Sequence, residues 1–140
     1  MGVGGFSSIC VLKIASQLIN RLSIISSFNI IHGDIHPGNF LLGNTIVDKD
    51  TIHLIDFGLC NMNNVDDKDN SFRCALKSNN NNNNNTDSND TMTIDGTLAF
   101  SSINVLQGNQ CNEKDDLESL AYSLAYLLEG SLPWDRIEEE

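Results

Sequence analysis

The stretch His32-Gly33-Asp34-Ile35-His36-Pro37-Gly38-Asn39 places a carboxylate and, five residues later, a side-chain amide on a segment kept irregular by Pro37 and two glycines. After one short apolar hairpin comes Asp56-Phe57-Gly58, a second carboxylate at a strand end followed by glycine. These are the parts that phosphoryl transfer requires. Asp34 would orient an acceptor hydroxyl and accept its proton, while Asn39 and Asp56 would hold Mg²⁺ on a triphosphate. Magnesium takes hard oxygen ligands and few of them from protein, so one carboxylate and one amide oxygen suffice when phosphate oxygens and water complete the shell.

Those residues need elements to carry them. From Ser7 to Ser27, apolar residues including Ile9, Leu12, Leu18, Leu22 and Ile25 recur at three- and four-residue intervals, with Lys13, Gln17, Asn20 and Arg21 between. This periodicity predicts an amphipathic or largely buried helix, capped by the hydroxyl of Ser7 or Ser8 and ended by Phe28 and Asn29. Short apolar runs at Ile30–Ile31, Phe40–Leu42 and Ile52–Ile55, bounded by Gly, Asn or Asp, read as strands. The last two make a hairpin joined through Gly43 to Asp50, and the candidate loop lies between the first two. Beyond Gly58 the chain turns polar from Asn61 to Asp95, with seven consecutive asparagines at Asn79–Asn85, and is expected to be a disordered insertion. Closure entropy grows only logarithmically with loop length, so the flanking fold tolerates it. Order is expected to resume near Gly96. A second helix is predicted over Asp115–Leu128, with Leu117, Leu120, Leu124, Leu127 and Leu128 along one side and an end at Gly130.

Composition narrows the function. The chain has 140 residues, 8 Lys plus Arg against 19 Asp plus Glu, and a formal charge of −11. That balance argues against nucleic acid and acidic membrane surfaces as partners, because both are held by clustered basic residues. Glu138, Glu139 and Glu140 read as a solvated tail. Cys10, Cys60, Cys74 and Cys111 are far apart and suggest neither a zinc site nor a disulfide framework. No apolar run approaches the ~20 residues of a membrane span, the N-terminus lacks signal-peptide regions, and Phe6 stands where a myristoylation signal needs Ser or Thr. A cytoplasmic or nuclear location is expected.

The catalytic loop and the Asp-Phe-Gly motif resemble those of the eukaryotic protein kinases, and the closer resemblance is to the casein kinase 1 family. It is carried by Asn39-Phe40-Leu41-Leu42-Gly43, by Gly96-Thr97 followed by Ser102-Ile103-Asn104, and by Asp115-Asp116-Leu117-Glu118-Ser119-Leu120 leading to Gly130-Ser131-Leu132-Pro133-Trp134. The resemblance implies an α+β, protein-kinase-like fold: a mainly helical fragment of the C-terminal lobe with a short catalytic-loop β hairpin. Residues 1–60 would be the catalytic-loop part, 61–95 an insertion in the activation segment, 96–137 the distal activation segment with the central lobe helix, and 138–140 the tail.

By that resemblance the substrates are ATP with Mg²⁺ and a protein bearing an acceptor Ser or Thr. Asp34 would be the catalytic base, Asn39 and Asp56 the metal and nucleotide ligands, Thr97 a support for the base, and Asp116 a brace for the loop backbone. His32, Pro133 and Trp134 would be packing residues. Gly33 replaces the arginine that in many kinases pairs with a phosphorylated activation segment, so that form of control is not expected. His36 stands at the position of a lysine that neutralises the transferring phosphoryl group, a weaker and pH-dependent substitute. Leu98-Ala99-Phe100 lacks the basic residue that favours acidic or phosphate-primed substrates.

The same loop also resembles small-molecule kinases of the aminoglycoside phosphotransferase and choline kinase type, which share His-Gly-Asp-x-His-Pro-Gly-Asn. The Ser102-Ile103-Asn104 and Asp115–Trp134 matches belong to the casein kinase 1 pattern alone. No residues supply a glycine-rich nucleotide strand or its lysine, and Gly2-Val3-Gly4-Gly5-Phe6-Ser7 reads as a connector into the first helix. Little or no catalysis is therefore expected of the 140-residue chain by itself, and two helices without further neighbours would leave apolar faces wet. A catalytically inactive, pseudokinase-like binding fragment is the competing class.

Overall fold

The computed structural model describes residues 5–57, 61–62 and 98–136. The first helix, α1, runs Ser8–Ser27 with Ser7 as its N-cap, the hydroxyl accepting from the Cys10 N–H. At its far end the N–H groups of Phe28 and Asn29 turn back to the carbonyls of Ile25 and Ser26, and Asn29 takes the left-handed conformation that closes such ends, φ 57°. The entry to α1 explains one glycine. A Cβ on Gly5 would overlap the carbonyl of Leu128, while the next residue, Phe6, donates its N–H to Leu127 O at 2.7 Å. The chain therefore passes hard against another helix before α1 begins.

Strand β1 (Ile30–Ile31) follows α1, and β2 (Phe40–Leu42) pairs antiparallel with β3 (Ile52–Leu54) in the register Phe40 to Leu54, Leu41 to His53 and Leu42 to Ile52. Gln17 of α1 clamps that hairpin, its amide nitrogen donating to Asp50 O at 3.0 Å and its oxygen accepting from Ile52 N at 2.9 Å. A fourth strand, β4 (Asn61–Met62), pairs antiparallel with β1. This corrects the expected insertion boundary, because Asn61 and Met62 are ordered as strand. Backbone pairing with an open edge does not depend on apolar side chains, so composition hid it. The rest of the expected insertion, 63–95, lies outside the described residues.

After a 3₁₀ turn at Leu98–Phe100 come the short helix α2 (Ile103–Leu106) and the long helix α3 (Glu113–Glu129). α3 begins two residues before its predicted start of Asp115, since Asn112 is its cap and forms a capping box with Asp115. The acidic first turn, Glu113 with Asp115 and Asp116, masked that start in an apolar periodicity. Gly130 ends α3 in the left-handed conformation, φ 78°, its N–H returned to Tyr126 O.

The core is Leu18 and Leu22 of α1, Ile35, Ile52 of β3 and Leu120 of α3, with Ile14, Ile25, Phe40, Leu54 and Leu124 packed around it. Burying one such Leu or Ile contributes about 1.5–3 kcal/mol. Only one stripe of α1 is covered, for Ile9 and Leu12 remain 70% and 68% exposed. Of the predicted leucine side of α3, Leu117 and Leu128 are also exposed. Taken as a whole helix, α1 is long and apolar enough to cross a membrane, which corrects the expectation that no segment reaches that length. Counting uninterrupted runs missed it because Lys13 and Arg21 are spaced within an otherwise apolar helix. Here Leu18 and Leu22 pack in the core, as in a helix at the centre of a globular domain.

Candidate active site

The loop after β1 hangs from α3. Asp116, 4% exposed, accepts the N–H groups of His32 at 2.7 Å and Gly33 at 2.9 Å. Gly33 sits at φ 79°, open to glycine without strain. Burial raises the Asp116 carboxyl above its usual range, opposed by those two N–H groups and by nearby His32. The brace that the resemblance assigned to Asp116 is thus present as geometry.

His32 laces two segments together and is fully buried. Its Nδ1 accepts the Asp34 N–H at 3.3 Å, and its Nε2 lies 3.1 Å from Ile55 O. A ring that accepts at Nδ1 carries its proton on Nε2, so the bonding assigns the neutral tautomer, which donates to Ile55 O. Phe57 packs on the ring at a centroid distance of 4.6 Å. In return the Ile55 N–H donates to Asn39 O at 3.1 Å. The strand end that carries Asp56 is therefore bonded to both ends of the loop that carries Asp34 and Asn39. Asp56 has φ 63°, a left-handed conformation costing ~1 kcal/mol or more for most residues and tolerated best by Asn and Asp.

Burial holds the His32 ring below the ordinary histidine value, outweighing the bond to Ile55 O and the carboxylates of Asp116, Asp34 and Asp56, which act the other way. The sign follows directly. Near the ordinary value of about 6.5, unfolded chain binds a proton that folded chain refuses, so stability is present above that pH and is lost as pH falls through the lowered value. Thermal melts at pH 7.5 and 5.5 should show a lower Tm at pH 5.5. His32→Gln should flatten that slope while lowering Tm at both values; an unchanged slope would reject His32 as the group responsible.

Asn39, 6% exposed, ends a 3₁₀ turn over Pro37–Asn39. Its amide nitrogen donates to Asp34 O at 2.9 Å and to Asp34 Oδ2 at 3.3 Å. With the nitrogen so engaged, the amide oxygen is the atom left to ligate. The structure thus brings Asp34 and Asn39 into contact and sets Asp56 one residue beyond the Asn39–Ile55 bond. His36 joins them, its Nε2 3.6 Å from Asp34 Oδ2. Thr97 and Gly58 lie outside the described residues. No three His, Cys, Asp or Glu among the described residues are grouped to hold a metal, so a cation here would rest on Asp56 and the Asn39 amide oxygen. That pair of hard oxygens suits magnesium.

A second network fixes the approach to the site. Asp115, buried, accepts Ser102 Oγ–H at 2.7 Å, the Asn104 amide at 3.0 Å and the Asn112 N–H at 2.7 Å. One carboxylate thereby ties α2 to the cap of α3, which gives Ser102 and Asn104 of the Ser-Ile-Asn motif a physical role. The Trp134 indole N–H donates to Ala99 O at 2.9 Å and its ring meets Tyr122 edge-on, so Trp134 packs as expected and also anchors the Leu98–Phe100 turn. Asp115 and Gln17 were not singled out as anchors from sequence. For Asp115 a signal existed, the Asn-x-x-Asp spacing of a capping box.

A cavity of about 990 Å³ lies between α1 and the β2–β3 hairpin, lined by apolar groups such as Phe6, Leu12, Phe40 and Leu127. None of Asp34, Asn39 and Asp56 lines it. A family model described as the protein kinase domain matches residues 3–140.

Proposed function

Since the chain belongs to the protein kinase domain family, we propose that it is a serine/threonine kinase of casein kinase 1 type, using ATP and Mg²⁺ to phosphorylate protein hydroxyls. The observation that carries the reading is the contact between Asp34 and Asn39 on a loop bonded to the residue before Asp56. The Ser102–Asn104–Asp115 network supports the casein kinase 1 type, because it gives that family's distinguishing motif a structural purpose.

Asp34 orients the acceptor hydroxyl and takes its proton as the oxygen attacks. Asn39 keeps Asp34 in place through its amide nitrogen and offers its oxygen, with the Asp56 carboxylate, to magnesium. The cation, when bound, neutralises charge on the triphosphate. Thr97 is proposed as a further support for Asp34. His32 and Asp116 hold the loop backbone, so that Asp34 meets its substrate without rearrangement of the main chain.

Calorimetric titration of the chain with ATP, with and without magnesium, tests the proposal. Affinity should depend on magnesium and fall at least about tenfold in Asp56→Ala. Affinity indifferent to magnesium would indicate an inactive binding fragment, and phosphate transfer to choline or an aminoglycoside in place of casein would indicate a small-molecule kinase. Either result overturns the reading.

A further inference from the structure

His36 turns back upon Asp34, where a lysine surrogate directed at phosphate would extend away. Its Nε2 lies 3.6 Å from Asp34 Oδ2, beyond hydrogen-bond length and close enough to fence the carboxylate. Two contacts and a gap place the ring there. The Gly38 N–H donates to Nδ1 at 3.2 Å, so in the neutral ring the proton sits on Nε2, the atom that faces Asp34. A Cβ on Gly38 would come within 2.8 Å of Cε1 and 3.0 Å of Nδ1, so the ring fills the space that the missing side chain leaves. On the other side Phe100 stacks on the imidazole, centroids 6.2 Å apart and planes 26° apart, and is itself set edge-on against Tyr126.

The consequence falls on Asp34. Its Oδ2 faces His36 and also accepts the Asn39 amide at 3.3 Å, whereas no described residue donates to Oδ1. We infer that His36 and Gly38 form a positioning pair which holds Asp34 in a single rotamer, with Oδ2 turned to Asn39 and Oδ1 presented to the acceptor hydroxyl. The inference rests on Asp34 being the base. It gives His36 a task that charge alone does not describe, because the planar ring and its acceptor nitrogen do the holding.

The test uses the 140-residue chain and two variants that displace the ring by different routes. His36→Phe keeps an aromatic ring but removes both nitrogens. Gly38→Ala keeps the imidazole and pushes it aside, and Gly38 is not in the left-handed region, so alanine strains little else there. Side-chain coupling constants from NMR should show one Asp34 rotamer in the parent chain and averaging in both variants. Single-turnover transfer to a serine peptide should slow about 10- to 100-fold in both, since small misplacements of a reacting group cost that much, with KM for MgATP and peptide within about twofold. His36→Lys, which supplies a permanent cation without ring or acceptor, should be as slow as His36→Phe. A single Asp34 rotamer retained in both displacement variants, or His36→Lys matching the parent, would overturn the pair. Averaging in both variants, with transfer by Asp34→Asn as fast as by the parent, supports the held carboxylate and removes Asp34 as base, which separates the two failures.

Discussion

Asp34→Asn is expected to lower phosphoryl transfer by about 10²- to 10⁴-fold, the range that a positioned general base contributes. Single-turnover assay at saturating MgATP isolates the chemical step even where steady-state turnover is slow. Asparagine has almost the same shape, and its oxygen still accepts from the Asn39 amide, while the companion bond from that amide runs to the Asp34 backbone carbonyl and is untouched by the change. The fold and the loop therefore persist, and only the ability to take a proton is removed. MgATP affinity should stay within about twofold, because the residues proposed to hold the metal are Asn39 and Asp56. Transfer reduced less than about tenfold would show that Asp34 is not the base.

The largest effect on stability is expected from Asp116→Ala. Truncation leaves the N–H groups of His32 and Gly33 facing a buried hole, and each unsatisfied buried group costs about 1–3 kcal/mol. Together the cost is about 2–6 kcal/mol, a large fraction of the roughly 5–15 kcal/mol that a domain commands. One effect opposes this. The raised carboxyl pKa shows that burying the charge is itself unfavourable, so removing it recovers part of the loss. Urea denaturation should place the midpoint far below that of the parent, with Asp116→Asn between, since its amide accepts one N–H and opposes the other. Equal stability of Asp116→Ala and the parent would mean that desolvation cancels the brace.

What was legible in the sequence was local. The 3.6-residue periodicity of α1, its cap at one of the two serines offered, Ser7, the short apolar runs of β2 and β3, the latter ending one residue early at Leu54, and the Gly130 stop all depend on residues a few positions apart. The resemblance supplied the brace of Asp116 across 84 residues, which no local pattern encodes. Pairings made through backbone were harder. β4 joins β1 by main-chain bonds, and its two residues are too few to stand out as a strand in the sequence, while Gln17, polar on an amphipathic pattern, clamps the hairpin instead of facing solvent freely. The direction of the His36 ring was the least legible, because it depends on the space beside Gly38 and on Phe100, far along the chain.

The lacing through His32 has one more consequence. A single imidazole receives from the segment bearing Asp34 and donates to the residue before Asp56, so the two stretches share one conformational coordinate. If the proposed roles hold, a cation at Asp56 and an acceptor at Asp34 would be coupled through that ring, and by thermodynamic reciprocity each would change the other's affinity by the same factor.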